Sequence, residues 1–463
     1  MKTISRRALI LYLLIAAFLA GIVILYFNLI SNANSWAMNK VNAHLYSNGA
    51  LSTAGDILDR DGTVLATSKD GKRVYCGDTT MRKAVLHTVG DDAGYISSGV
   101  QTSFKDELTG YTLLDGVYNL KRYGKGNSLS LTIDADLCKT AYEALGSYHG
   151  LVGVMNYKTG AIVALVSTPS YDVINKPNDI DTDTSGKYEG IYMNRFFTGL
   201  YTPGSTFKIV TAASAIENIS DIYTRTFTCN GKIQIGNGYV ICNGVHGEQS
   251  FEKALNNSCN CAFAEIAKEL GGDKLTQTAN EMGFNKKIEN IDGKIKCSKS
   301  KLDLSNAEEL DIGWAGIGQY TTVINPCQML MTVCGIANGG KAMKPYLIKE
   351  IKSPKGRTIS TTVPSEYGQI LNYETATKLS ALLRSNVENE YGDWRFSGLE
   401  MCGKTGTAEV SDNEGARPNA LFVGYSTNES YPYAIIVVVE DSTYSIKTAV
   451  PIATKVMAAL KNQ

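Results

Sequence analysis

Two side chains suited to acyl transfer lie three residues apart in Tyr201-Thr-Pro-Gly-Ser-Thr-Phe-Lys-Ile-Val210. Thr202, Pro203 and Gly204 break any preceding element. The mostly apolar run from Ser205 to Ile216 predicts a helix ending near Glu217. Ser205 and Lys208 then share one face of its first turn, within reach of each other. A lysine on a buried face is pushed toward its neutral amine, which can take the proton of a neighbouring hydroxyl. The free amides of the same turn are donors for a developing oxyanion. Ser-x-x-Lys is short enough to arise by chance, so its meaning depends on partners elsewhere in the chain.

Two further motifs follow in order: Ser258-Cys259-Asn260 and Lys404-Thr405-Gly406-Thr407. A serine acyltransferase needs an activated hydroxyl (Ser205), a base (Lys208), a proton route to the departing amine (Ser258) and oxyanion donors. Lys404 supplies positive potential that tunes the base and attracts a substrate carboxylate. Thr405 and Thr407 offer that carboxylate hydroxyls, and Gly406 removes a side chain so that a strand edge can approach an extended peptide. Asn260 can hold a substrate amide in register. Ser258 and Asn260 stand at i and i+2 and would diverge on a regular helix, so both serve one cleft only if their connection is non-helical.

Gly398 to Thr405 also matches G-x-x-x-x-G-K-[ST], a phosphate-binding pattern. Its context argues against that chemistry. No buried strand precedes Gly398, no helix start follows Thr405, and Glu400 would face the phosphates.

The elements that must carry these residues are readable in outline. The apolar stretch Ala8–Ile30, preceded by Lys2, Arg6 and Arg7, predicts an uncleaved transmembrane anchor after a cytoplasmic tail of residues 1–7. The basic flank places the remainder outside the cytoplasm. Residues 31–127 read as a small mixed spacer containing a strand, an Asp-Gly turn and a second strand between Gly55 and Ala66. From 128 to 463 helices alternate with strands. Leu151–Asn156 and Ala161–Ser167 form a hairpin over Tyr157-Lys-Thr-Gly160. The helix Cys261–Leu270 is ended by Gly271-Gly272, and another runs over Tyr373–Glu388. Strands span Met401–Val410, Ala420–Ser426 and Tyr433–Glu440, and a helix runs over Pro451–Lys461. The layout predicts an α+β domain with an antiparallel sheet.

The chain has 463 residues with 45 basic and 45 acidic side chains, so no net charge draws it to nucleic acid. The four histidines, His44, His87, His149 and His246, are scattered, and there is neither His-Glu-x-x-His nor Cys-x-x-Cys. No metal site and no cofactor are indicated. Of the ten cysteines, Cys229 and Cys242 flank a Gly-rich hairpin-like stretch and are candidates for a cross-strand disulfide in an oxidising compartment. Others, such as Cys327, Cys334 and Cys402, read as small buried hydrophobes.

The three motifs in this order are the signature of serine β-lactamases and penicillin-binding proteins. From the anchor to the C-terminus the chain resembles a class B penicillin-binding protein of the short Gram-positive type. The resemblance is carried further by Thr132-Ile-Asp134, Lys158-Thr-Gly160, Pro169-Ser-Tyr-Asp172, Asn194-Arg195, His246-Gly247, Gly316-Ile-Gly-Gln319 and Asn419-Ala-Leu-Phe-Val-Gly424. Where the family has Arg-Gly in the spacer, this chain has Ala54-Gly55. The resemblance implies a peptidoglycan D,D-transpeptidase. Ser205 would be the nucleophile, Lys208 the base and Ser258 the proton relay, with an oxyanion hole formed by the amides of Ser205 and Thr407. It further implies peptidoglycan stem peptides as substrates, penicillins as acylating inhibitors, and a multi-spanning glycosyltransferase of the shape, elongation, division and sporulation (SEDS) type as partner. A β-lactamase or D,D-carboxypeptidase of the same fold carries the same motifs, and a non-catalytic β-lactam sensor or division scaffold is a further alternative.

Overall fold

A computed structural model describes residues 2–37, 51, 53–109, 125–408 and 417–462. His44 and the last two residues of the strand expected over 401–410 lie outside them. The N-terminal helix runs Lys2–Ala37. Its segment Arg6–Leu29, of 24 residues, is long and apolar enough to cross a bilayer, and the whole of its apolar face is uncovered.

Two sheets organise the rest. In the five-stranded one, β5 (Gly150–Asn156) and β6 (Ile162–Thr168) form the expected hairpin, and β15 (Met401–Ala408), β16 (Asn419–Ser426) and β17 (Tyr433–Val439) complete the order β15-β16-β17-β5-β6. All its pairings are antiparallel. Nearly every residue of β5, β6, β16 and β17 is buried, which requires cover on both faces. That cover comes from the helices Pro326–Ala337, Ala135–Leu145 and Ala449–Lys461. The first is started by Asn325, whose side chain accepts from Gln328 N, with Pro326 in the first turn. Strand β15 is at the sheet's edge.

The second sheet joins β1 (Ile57–Leu58), β2 (Val64–Lys69) and β3 (Lys72–Tyr75) to β4 (Ser128–Leu131), β12 (Ile348–Lys352) and β13 (Thr358–Thr361). Three of its strands lie before residue 128 and three begin at or after it, so the segments expected to be a spacer and a larger unit share one sheet. Strand β4 pairs parallel to β1 and antiparallel to β12, while β11 (Lys341–Met343) and β14 (Glu366–Gln369) form a separate antiparallel pair.

Between the serine helix and the second motif lie two short ribbons. Strand β7 (Thr226–Cys229) pairs with β10 (Gly247–Ser250), and β8 (Lys232–Ile235) pairs with β9 (Gly238–Ile241). The disulfide expected between Cys229 and Cys242 is not formed, and both are free thiols. The sequence holds no metal-ligand motif, yet the two ribbons pack on the helix that begins at Asn260, and Cys229, Cys242, His246 and Cys259 meet there.

The helix expected over Cys261–Leu270 begins at Asn260 and ends, as expected, at Gly271, whose φ of 73° lies in the left-handed region that glycine reaches without strain; a second helix follows directly and runs to Glu281. The helix Tyr373–Asn386 passes into a π-helical turn, Val387–Tyr391, before reaching β15.

Candidate active site

The catalytic serine candidate lies in a 3-10 turn, Gly204–Phe207, that feeds the α-helix Lys208–Asn218. The chain entering this turn is held on both sides. Tyr201 N and O bridge Ile324 at 2.9 and 2.8 Å. Tyr201 Oη donates to Glu440 at 2.7 Å, and Glu440 is also paired with the buried Arg195 at 2.9 Å. Gly204 N donates to Gly318 O at 3.0 Å. Gly204 has φ +50°, and a Cβ there would sit 2.6 Å from Thr407 O, so only glycine lets the serine turn approach β15 this closely.

Lys208 is fully buried and its amine is surrounded by oxygen. It lies 3.0 Å from Ser205 Oγ, 2.6 Å from Ser258 O, 2.7 Å from Asn260 Oδ1 and 3.3 Å from Ser258 Oγ. The Ser258 carbonyl and Asn260 Oδ1 can only accept. The orientation of the Asn260 amide is fixed because its Nδ2 donates to Ile241 O at 2.9 Å. A neutral amine has two N–H donors and one lone pair. The two acceptors take both donors and leave the lone pair for the Ser205 hydroxyl. Burial holds the Lys208 pKa well below its ordinary value, and the positive charge of Lys404 pushes it the same way.

The second motif is brought to this amine by a broken helix. The helix Phe251–Asn256 ends in a turn in which Ser258 takes φ 51° and Cys259 N returns to Ala254 O, and the next helix begins at Asn260. The connection is therefore non-helical, as the i, i+2 spacing requires. Ser258 Oγ stands between the two lysines, 3.3 Å from Lys208 Nζ and 3.0 Å from Lys404 Nζ.

Lys404, Thr405, Gly406 and Thr407 lie on β15. Lys404 and Thr405 continue a strand and do not open a helix, so Gly398–Thr405 forms no phosphate cradle, in agreement with the reading from sequence. Lys404 is fully buried, and burial lowers its pKa to about 7, with the Glu390 carboxylate acting in the opposite direction. Thr405 Oγ1 lies 3.1 Å from Tyr391 Oη, and Thr407 Oγ1 lies 3.2 Å from Ser445 Oγ. At Gly406 a Cβ would fall 2.6 Å from Pro203 O and 2.8 Å from Thr206 Cγ2. Its missing side chain thus seats β15 against the serine turn.

Two residues of this constellation carry no signal in the sequence. Tyr391 Oη accepts from Thr405 N at 3.2 Å and from Lys404 Nζ at 3.4 Å. Ser445 Oγ donates to Gly406 O as well as meeting Thr407. Both arrive from turns remote in sequence. Tyr391 is delivered by the π-helical turn, a feature often found beside functional sites. Such a turn is invisible to hydrophobic periodicity.

The three motifs thus meet where the serine turn, the broken helix and the edge strand come together, with Ser205, Lys208, Ser258, Asn260 and Lys404 joined by hydrogen bonds and Gly406 seated against the serine turn. Residues 150–458 match the family model described as the penicillin binding protein transpeptidase domain. The chain belongs to the class B penicillin-binding proteins. Among similar proteins of this kind, peptidoglycan D,D-transpeptidase PbpA of Mycolicibacterium smegmatis is 27% identical, with 85% of this chain and 84% of that protein covered. The D,D-transpeptidase domain of a peptidoglycan glycosyltransferase from Eggerthella lenta superposes with a TM-score of 0.76 at 28% identity, over 89% of this chain and 98% of that one. Penicillin-binding protein A from M. tuberculosis, solved as a ceftriaxone acyl-enzyme, shares the fold with a TM-score of 0.78 at 24% identity, over 89% of this chain and 99% of its own. For this penicillin-binding protein, the fold and the meeting of the three motifs agree with the family match.

Proposed function

We propose that this penicillin-binding protein is a serine D,D-transpeptidase that crosslinks peptidoglycan stem peptides and is acylated by penicillins. The observation that carries the reading is the Lys208 amine, with both N–H groups taken by Ser258 O and Asn260 Oδ1 and its lone pair left for Ser205. Ser205 Oγ attacks the carbonyl between the two terminal D-alanines as Lys208 accepts its proton. The Oγ–C bond forms and the tetrahedral oxyanion is held by the amides of Ser205 and Thr407. Lys404 holds the substrate carboxylate, with Thr405 and Thr407, and donates to Ser258. The proton passes from Lys208 through Ser258 Oγ to the departing nitrogen, the C–N bond breaks, and D-alanine leaves. The amine of a second stem then attacks the acyl-enzyme and gives its proton to Lys208, the Oγ–C bond breaks as the new amide bond forms, and Lys208 returns the proton to Ser205 Oγ. Asn260 aligns the donor peptide, and the free edge of β15 pairs with its backbone.

The helix Arg6–Leu29, preceded by basic residues, supports a single-pass anchor with the larger unit, 128–463, outside the cell membrane. Residues 31–127 would act as its pedestal, and anchor and pedestal together as the docking segment for a SEDS-family glycosyltransferase.

The test is the lifetime of the penicillin adduct on the full-length chain in detergent. A fluorescent penicillin should label it stoichiometrically and persist for many minutes after removal of free drug. Rapid release with turnover would replace the transpeptidase reading with a β-lactamase or carboxypeptidase one.

A further inference from the structure

Cys229, Cys242, Cys259 and His246 come from four separate segments, yet their Sγ and Nδ1/Nε2 atoms all lie within 4.8 Å of one another. Cys229 ends β7, Cys242 follows β9, His246 precedes β10, and Cys259 is the middle residue of Ser258-Cys259-Asn260. The three cysteines are buried and the histidine is half-buried. We infer that this cluster is a structural zinc site of the Cys3His type that fixes the second catalytic motif.

The spacing fits the ion. A tetrahedral zinc with Zn–S of about 2.3 Å and Zn–N of about 2.05 Å separates its sulfurs by about 3.8 Å and a sulfur from a nitrogen by about 3.6 Å. Cys242 Sγ lies 3.8 Å from Cys259 Sγ and 3.6 Å from His246 Nδ1. Three soft thiolates and one imidazole in a closed, mostly buried pocket are the donor set of structural zinc rather than of calcium or magnesium. Binding exchanges the three thiol protons for one Zn2+. The Asn260 backbone N–H already donates to Cys242 Sγ at 3.2 Å, the kind of outer contact that orients a ligating thiolate.

The consequence for the active site follows from Cys259. The residues on either side of it supply Lys208 with its two acceptors, Ser258 O and Asn260 Oδ1. Ser258 is held at φ 51°, a conformation uncommon for a residue with a side chain. An ion tying Cys259 to Cys229, Cys242 and His246 would hold that turn in place without touching substrate. This positioning role rests on the transpeptidase reading. The presence of the site does not.

The experiment uses the full-length chain in detergent with an affinity tag free of histidine. Plasma mass spectrometry should find close to one zinc per chain, and replacement by cobalt should give the intense visible bands of a tetrahedral thiolate site. Cys229→Ser and His246→Gln should each lower zinc affinity by about 10–100-fold or more, and Cys76→Ser, on the far spacer, should leave it unchanged. Stripping zinc should slow penicillin acylation, and adding it back should restore the rate. Where a variant fails to fold, the cobalt spectrum and zinc content of the wild-type chain still decide. A zinc-exposed wild-type chain holding less than about 0.1 equivalent, or a Cys242–Cys259 disulfide in the isolated protein, overturns the site. Zinc bound with acylation unchanged on its removal overturns the positioning role. Stable penicillin labelling of a chain that binds no zinc would refute this inference and leave the transpeptidase reading standing.

Discussion

Replacing Lys404 with glutamine should move the pH dependence of acylation, and the structure sets how far. Lys208 Nζ and Lys404 Nζ lie 3.3 and 3.0 Å from the same Ser258 Oγ. The two nitrogens are therefore no more than roughly 6 Å apart, and at an effective dielectric near ~20 two full charges repel there by about 2.8 kcal/mol, or about 2 pKa units. The pair cannot both be protonated near neutrality without that cost. Lys404 keeps the proton, because Glu390 favours its charge and Lys208 has only one partner left for its lone pair. Below its folded pKa Lys208 is protonated and has no lone pair for Ser205, so the rate falls as pH drops through that value. Above about 7 the free enzyme loses the Lys404 charge and, with it, the attraction for the substrate carboxylate. The wild-type profile of the second-order acylation rate is therefore bell-shaped. In Lys404→Gln the alkaline limb should vanish, and the acidic limb should move to higher pH, by about 2 units at a separation of about 6 Å and by more if the amines are closer. On the acidic limb this costs about 100-fold in rate from Lys208 alone. Stopped-flow acylation by a chromogenic penicillin from roughly pH 5 to 10 reads both limbs. A uniform drop at every pH, with the acidic limb where the wild type has it, would show that Lys404 binds the carboxylate without tuning the base.

Two other substitutions probe what holds β15. Tyr391→Phe removes the acceptor of the Thr405 amide and should cost about 1–3 kcal/mol of stability. It should also slow penicillin acylation by about tenfold, with unchanged far-ultraviolet circular dichroism. Gly406→Ala places a methyl group 2.6 Å from Pro203 O. It should destabilise the chain by about 1–3 kcal/mol in thermal unfolding and reduce acylation more steeply than Tyr391→Phe does, because it separates the strand from the serine turn itself.

The parts of this protein that were legible in sequence are those fixed by local chemistry. Pro203-Gly204 marks the start of the serine turn, the Asn156–Gly160 turn joins two apolar strands, and Ser258 and Asn260 cannot serve one cleft from a regular helix. Each follows from turn preference or helical geometry alone. What escaped depends on contacts between distant segments. Tyr391 and Ser445 reach β15 from turns whose only signal is their final position. Cys229, Cys242, His246 and Cys259 show no ligand spacing because two ribbons and a helix end assemble them. Gly406 was assigned to the substrate side by its motif, yet the atoms a side chain would strike belong to Pro203 and Thr206. The spacer's sheet was equally hidden, since β12 and β13 lie far along the chain from β1.

The central claim is that Ser205, activated by Lys208, is the residue acylated. Peptide mapping by mass spectrometry after brief exposure of the full-length chain to penicillin tests it directly. One intact penicilloyl group should be found on the peptide carrying Ser205, absent from Ser205→Ala and strongly reduced in Lys208→Ala. An adduct on any other residue, or undiminished labelling of Ser205→Ala, would contradict it.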